Sequence, residues 1–305
     1  MMKRVVSVSL GTSKRDKHEE VTILGESFLI ERIGMDGDLE AFGNKFAELD
    51  GKVDALGVGG ADIYLVVGEK KYAFKQILAL ASRAKTTPIV DGSGLKHTLE
   101  RTAIARLQRD GIIDFTSSKV LLVSAVDRFG MAQGLVDQKA SIVFGDFLFG
   151  LGLPMPIRKY SNVKLLGNLL LPVITNLPFK WFYPTGEKQE KRTPKFPKYF
   201  HEADVICGDW HYIHKFMPDQ LKGKTIITQT LRKADLEFLT KAGVWRAITT
   251  TPVVNGETFA TNVMEGVIVA LLQKRPDQIN ESEYLEMLSR LDWKPTVIEL
   301  NAPQS

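Results

Sequence analysis

Residues 119–146 read KVLLVSAVDRFGMAQGLVDQKASIVFGD, and this stretch decides the fold. Residues 120–123 are a short apolar run fit for a buried strand, and 124–127 are small or polar. Residues 131–136 suit a helix, and 141–144 form a second apolar run that ends at Gly145-Asp146. Strand, tight turn, helix, strand is the outline of a nucleotide-binding unit with an acid about 20 residues past the turn. Laid on G-x-G-x-x-G, the three glycine positions fall on Ala125, Asp127 and Gly130, so only the last matches. The candidate cofactor contacts are Ser124, Ala125, Asp127, Arg128, Phe129 and Gly130 in the turn, with Asp146 for the ribose hydroxyls. Asp127 poses the sharpest question. As an N-cap it bonds the Gly130 amide, and its charge opposes a pyrophosphate unless Arg128 offsets it.

Outward from this unit, apolar runs alternate with helical periodicity in both directions, which predicts an α/β chain. Strands are expected at 5–10, 53–58, 88–90, 203–207, 225–228 and 244–248, and helices at 39–49, 75–84, 95–110 and 234–242. Hairpins are expected over 20–33 and 63–74. The expectation is two α/β domains. Residues 1–116 form a substrate-binding domain and 117–275 a Rossmann-like parallel sheet flanked by helices, with a C-terminal helix and tail at 276–305.

In such sheets ligands gather outside the carboxyl ends of the strands. Three loops of the first half qualify: Gly11-Thr12-Ser13-Lys14, Gly59-Gly60-Ala61-Asp62 and Asp91-Gly92-Ser93-Gly94-Leu95-Lys96. Gly-rich turns there let amides approach an anion, and Lys14 or Lys96 adds charge. The plainer reading is tight strand-to-helix turns with Ser93 as a cap. Asp91 and Lys96 are the acid/base candidates, a carboxylate and an amine able to share a proton with a substrate hydroxyl. His97 reads as a surface helix residue.

In the second half, residues 165–177 read as a buried helix ended by Pro172. With Phe179, Trp181, Phe182 and Tyr183 the segment suggests core or dimer contact ahead of an interfacial or lipophilic-ligand surface, which leaves a homodimer open. Residues 185–198 are a basic, proline-containing loop that suits either a solvated excursion or a lid, with Lys188, Lys191 and Arg192 as anion ligands. His211 and His214 share a helix face near Asp209, but no third metal ligand can be placed. Thr250 and Thr251 at a strand end, and Asn262 at a helix start, are placed where a cofactor's reactive end would lie; turn and cap chemistry explains them equally well.

Composition narrows the partners. The chain has 305 residues, net charge +4 and one cysteine, Cys207, which excludes an internal disulfide and suits a reducing cytoplasm. No basic run or RNA-binding signature points to nucleic acid. No apolar run reaches the roughly 18 residues of a spanning helix.

The run VSAVDRFGMAQGLVDQ, the segment LPFKWFYPTGEKQEKRTPK and the stretch TTTPVVNGETFATNVMEG together resemble bacterial quinate/shikimate 5-dehydrogenase-like proteins. The resemblance covers most of the chain. It implies a substrate domain followed by a nicotinamide-binding domain, and hydride transfer at the secondary alcohol of a small, anionic polyhydroxy acid. Asp146 favours NAD over NADP by pairing with ribose hydroxyls and repelling a 2′-phosphate. Shikimate dehydrogenases keep an intact glycine-rich turn and substrate-domain Ser, Lys and Asp motifs that this chain does not match, so no catalytic residue carries over. A non-catalytic Rossmann-like ligand-binding or regulatory protein is the alternative from another class, and a transferase with a basic lid is a third.

Overall fold

The computed structural model describes residues 2–68, 70–179, 192–251, 253–254 and 257–302. In chain order the elements are β1 (Lys3–Ser9), β2 (Lys17–Ile23), β3 (Glu26–Gly34), α1 (Leu39–Leu49), β4 (Ala55–Gly59), β5 (Tyr64–Val67), β6 (Lys70–Ala73), α2 (Lys75–Ala81), β7 (Ile89–Val90) and α3 (Ser93–Arg109). There follow β8 (Lys119–Leu122), α4 (Phe129–Asp137), β9 (Ser141–Phe144), α5 (Tyr160–Ile174), α6 (Pro197–Glu202), β10 (Val205–Cys207), α7 (Trp210–Phe216), β11 (Thr225–Thr228), α8 (Lys233–Lys241) and β12 (Arg246–Thr249). The chain ends with β13 (Val253–Val254), β14 (Glu257–Thr258), α9 (Thr261–Leu272), α10 (Glu281–Arg290) and β15 (Thr296–Glu299). It is an α/β protein with mostly parallel sheets flanked by helices.

Two compact units emerge. One comprises Met1–Thr98, Asn168–Gln189 and Val253–Trp293; the other comprises Leu99–Gly167, Glu190–Pro252 and Lys294–Ser305. The first unit is built on a five-stranded sheet in the order β2-β3-β1-β4-β7. β1 runs parallel to β3 and β4, β4 parallel to β7, and β2 closes the edge as an antiparallel hairpin partner of β3. Val5, Val6 and Val8 of β1 are wholly buried, as a central strand covered on both faces requires. α9 packs on β1, β4 and β7, where Gly266 lets it approach Val5 and Ala55. Packing therefore places residues 261–272 in the first unit, although their position in sequence suggests the second.

The second unit is a six-stranded sheet in the order β15-β12-β11-β10-β8-β9. The five strands from β9 to β12 are parallel, and β15 joins the edge antiparallel. Its inner strands β8, β10 and β11 are buried on both faces, and the side-chain period of two sorts their residues into two cores. Val120, Leu122, Val205 and Cys207 point into one with Met131, Leu135 and Phe144. Leu121, Val123 and Ile206 point into the other with Phe149, Phe200, Trp210 and Phe216. Fully burying each such side chain contributes about 1.5–3 kcal/mol.

α5 departs from expectation. It begins at Tyr160 and carries Pro172 inside its last turns instead of ending there. Nor is it buried all round: Leu165, Leu169 and Val173 face outward. Among the described residues no helix is long and apolar enough to cross a membrane.

Candidate functional site

In the second unit the strand order reverses direction at β8, whose neighbours are β9 on one side and β10 on the other. The carboxyl ends of β8 and β10 are thus a topological switch point, the crevice where open α/β sheets hold ligands. The loop after β8 delivers Asp127 and Arg128 there, the loop after β10 delivers Asp209, and Glu100 comes from α3.

These four residues bind one another. The Arg128 guanidinium donates to Glu100 Oε1 at 2.7 Å, to Asp209 Oδ2 at 2.5 Å and, through Nε, to Asp127 Oδ2 at 3.1 Å. The side chains of Arg128, Glu100, Asp127 and Asp209 are only 7%, 1%, 11% and 14% exposed. Burial works against the Arg128 charge, but Asp127, Glu100 and Asp209 outweigh it and hold the guanidinium protonated. The network continues along the strand ends. Gln229 Nε2 donates to Asp209 Oδ2 at 2.6 Å, and Thr228 Oγ1 donates to Gln229 Oε1 at 2.7 Å. The Thr251 amide and hydroxyl both donate to the Gln229 carbonyl, and the Thr250 amide donates to the Thr228 carbonyl. Glu100 Oε2 is buried and accepts no hydrogen bond among the described residues.

The turn after β8 is closed by the protein itself. Asp146 accepts the Ala125 amide at 3.1 Å and the Val126 amide at 2.9 Å. A dinucleotide phosphate needs those donors. Burial pushes the Asp146 carboxyl up to about 6, against the pull of the same two amides. The acid expected to read a ribose thus folds back onto its own turn. Arg128 occupies the N-cap position of α4 without a side-chain cap bond, and its guanidinium lies among carboxylates, not toward a phosphate. Ser124 is half-buried beside this turn, and Phe129 and Gly130 are buried at the start of α4.

The first unit holds the other candidates. The Asp91 carboxylate accepts the amides of Ile63 at 2.8 Å, Tyr64 at 2.7 Å and Ser93 at 3.0 Å, so it organises the turn and starts α3. Lys96 Nζ lies 3.7 Å from Asp62 Oδ1, which makes Asp62 its carboxylate neighbour. Asn262 donates to Ser7 Oγ of β1 at 2.8 Å, so it belongs to a different unit from Thr250 and Thr251.

Sequence reasoning missed Glu265. It lies on α9, 2% exposed, and accepts the Gly92 amide at 2.7 Å and the Tyr284 hydroxyl at 2.9 Å. Its place in an apolar helix, TNVMEGVIVALL, was the one available signal. The glycines of residues 92–94 let this helix dock. A Cβ on Gly94 would collide with Glu265 Oε1 and Tyr284 Oη. Gly94→Ala should therefore destabilise the protein by about 1–3 kcal/mol, measured by urea unfolding; an unchanged midpoint would mean the loop has room that this packing denies.

Elsewhere, Thr12 caps a short 3₁₀ turn in the Gly11–Lys14 loop, and the Arg32 guanidinium reaches Thr12 O at 3.0 Å and Ser9 Oγ at 3.0 Å. In the Gly59-Gly60 loop, Gly60 is held at φ +66° against the Gly11 amide, which only glycine permits. Arg192 is anchored to Asp219 and the Met217 carbonyl and stacks on Phe238; Lys188 and Lys191, with Trp181, Phe182 and Tyr183, lie outside the described residues. His214 packs between Trp210 and Phe238, and burial pushes its pKa down. Among the described residues no three His, Cys, Asp or Glu side chains are grouped to hold a metal ion.

A family model described as a domain of unknown function (DUF8754) matches residues 94–300, and the chain belongs to that family. A second model, also a domain of unknown function (DUF8753), matches residues 4–91. No curated protein matches. Solved structures with a similar course include a periplasmic solute-binding protein from Actinobacillus succinogenes with bound D-allose, at 9% identity, 97% coverage of both chains and a TM-score of 0.38. An NAD-dependent malic enzyme from Thermotoga maritima is 11% identical, over 95% of this chain and 84% of its own, with a TM-score of 0.37. L-tryptophan dehydrogenase from Nostoc punctiforme is 10% identical over 88% and 67%, with a TM-score of 0.36.

Proposed function

We propose that the second unit binds a small molecule at the carboxyl ends of β8 and β10 and reads it through hydroxyl or ammonium donors. One observation carries this reading: the amides that would hold a phosphate are taken by Asp146, while Glu100, Asp127 and Asp209 gather around the Arg128 guanidinium. Three carboxylates gathered at these strand ends make an acceptor-rich edge, which attracts donors and disfavours phosphate. A polyol, a sugar or an amine fits this chemistry.

A second reading is an NAD-dependent oxidoreductase acting on the secondary alcohol of a small polyhydroxy acid such as quinate or shikimate. The parallel order around β8 and the acid ending β9 favour it. Under that reading Asp146 must leave its amides before NAD can bind. A thermal-shift screen with NAD, NADP, polyols, sugars and amines distinguishes the two, run on the wild type and on Asp146→Asn. The donor-reading site predicts no shift with millimolar NAD, and a shift of several degrees with a polyol, sugar or amine. NAD bound by the wild type, and about tenfold more tightly by Asp146→Asn, would establish the second reading and sink the first.

A further inference from the structure

α5 carries an apolar stripe that nothing on the helix itself conceals. Leu165, Leu169 and Val173 are 67%, 66% and 60% exposed. They are spaced four apart and share one side of a single helix. The opposite side turns Val163 and Leu171 inward. Just upstream in the chain, Leu151, Leu153 and Met155 are also 51%, 41% and 51% exposed. Exposed leucines scattered singly need no explanation; a stripe does.

Within this segment of sequence the charge is one-sided. Residues 147–179 contain no Asp or Glu, while Arg158, Lys159 and Lys164 are basic. Arg158 and Lys159 are exposed immediately ahead of Tyr160, where α5 begins. Lys164 sits beside Leu165 with its ammonium over the Tyr160 ring.

We propose that this segment docks on the surface of an anionic phospholipid bilayer. α5 lies in the interfacial plane, its leucines enter the boundary between headgroups and acyl chains, and the basic residues meet lipid phosphates. At 15 residues the helix is too short to span. A second copy of the chain suits the face less well. Across a twofold axis the patch meets itself, so a basic, acid-free stretch opposes its own like. Three side chains on one helix also fall well short of the roughly 800 Å² per partner that a stable protein interface buries.

The full-length protein, sedimented with vesicles, tests this. It should pellet with vesicles of equimolar phosphatidylcholine and phosphatidylglycerol, stay in solution with phosphatidylcholine alone, and be released by high salt. The double variant Leu165→Ser, Leu169→Ser should retain its circular-dichroism spectrum, since both side chains are exposed, and should bind about tenfold more weakly or worse. Arg158→Glu with Lys159→Glu should lose binding to a similar degree. Failure to pellet with the mixed vesicles would overturn the proposal, as would unchanged binding by both variants. So would a dimer that the serine variant splits into monomers, which would make this face a contact between copies.

Discussion

Arg128→Met should cost the protein about 3–5 kcal/mol, with a fall in melting temperature of roughly 10 °C. The side chain is volume-matched, so the loss is electrostatic. Three carboxylates, on Glu100, Asp127 and Asp209, would stay in a region where Glu100 is 1% exposed, without the guanidinium that bridges all three. Removing one partner of a buried pair is far more damaging than removing the pair, because an uncompensated charge is left behind. The control follows from that logic. Adding Glu100→Gln to Arg128→Met should recover part of the loss, although Glu100→Gln alone should destabilise the wild type by breaking the 2.7 Å bond. Urea unfolding of the four proteins closes the cycle. Additive losses, with no recovery in the double variant, would mean the network is held by packing and not by charge.

Much of the architecture was legible in the sequence. The run at 120–123 is apolar without alternation, as a strand covered on both faces must be, and β8 lies there; β9 and β11 lie at the expected 141–144 and 225–228. The Leu39–Leu49 helix was legible from periodicity, and the structure adds Asp38, which caps it by accepting the Glu40 and Ala41 amides. α5 was misjudged because composition reports how apolar a helix is, not which side is covered. The closing of the turn by Asp146 was not legible for a different reason. A glycine-poor fingerprint signals missing space for a phosphate, but no local pattern says that Asp146 will fold back onto the Ala125 and Val126 amides. Pairings such as Glu265 with Gly92, 173 residues apart, depend on tertiary contact alone.

The two folded-back acids share a physical logic. Asp146 accepts amides of the turn after β8, and Glu265, from within α9, accepts the Gly92 amide of the turn after β7, the kind of place where a phosphate would otherwise be held. Each supplies the negative charge from inside the molecule. Loops with the outline of anion cradles are here internal joints, and Asp91 does the same for the Ile63, Tyr64 and Ser93 amides. Polar strand ends need not be ligand sites, since a buried amide requires an acceptor whether or not a ligand provides it.

Those joints make stability depend on pH in an unusual direction. Burial pushes Glu265 from 4.5 up to about 7, reinforced by Asp91 and opposed by Tyr284, the Gly92 amide and Lys71. Asp146 rises from 3.8 to about 6. The folded protein therefore holds protons that the unfolded chain has released, and stability should fall as pH rises from about 5 to 8. Each shift exceeds two units, so each group contributes up to about 3 kcal/mol. Asp114, pulled down to about 2, titrates below this window and is level across it. His214, pushed down from 6.5, opposes the trend, but it is only half-buried and acts with a smaller shift. Glu265→Gln isolates the larger effect. The amide oxygen still accepts from Gly92, and no charge can form, so the variant should match the wild type within about 1 kcal/mol at pH 5 and exceed it by about 2 kcal/mol at pH 8. Unfolding free energies from urea titrations at pH 5, 6, 7 and 8 decide the matter. A wild type that gains stability toward pH 8, or a variant weaker than it there, would show that the Glu265 carboxylate is ionised and well solvated in the folded state.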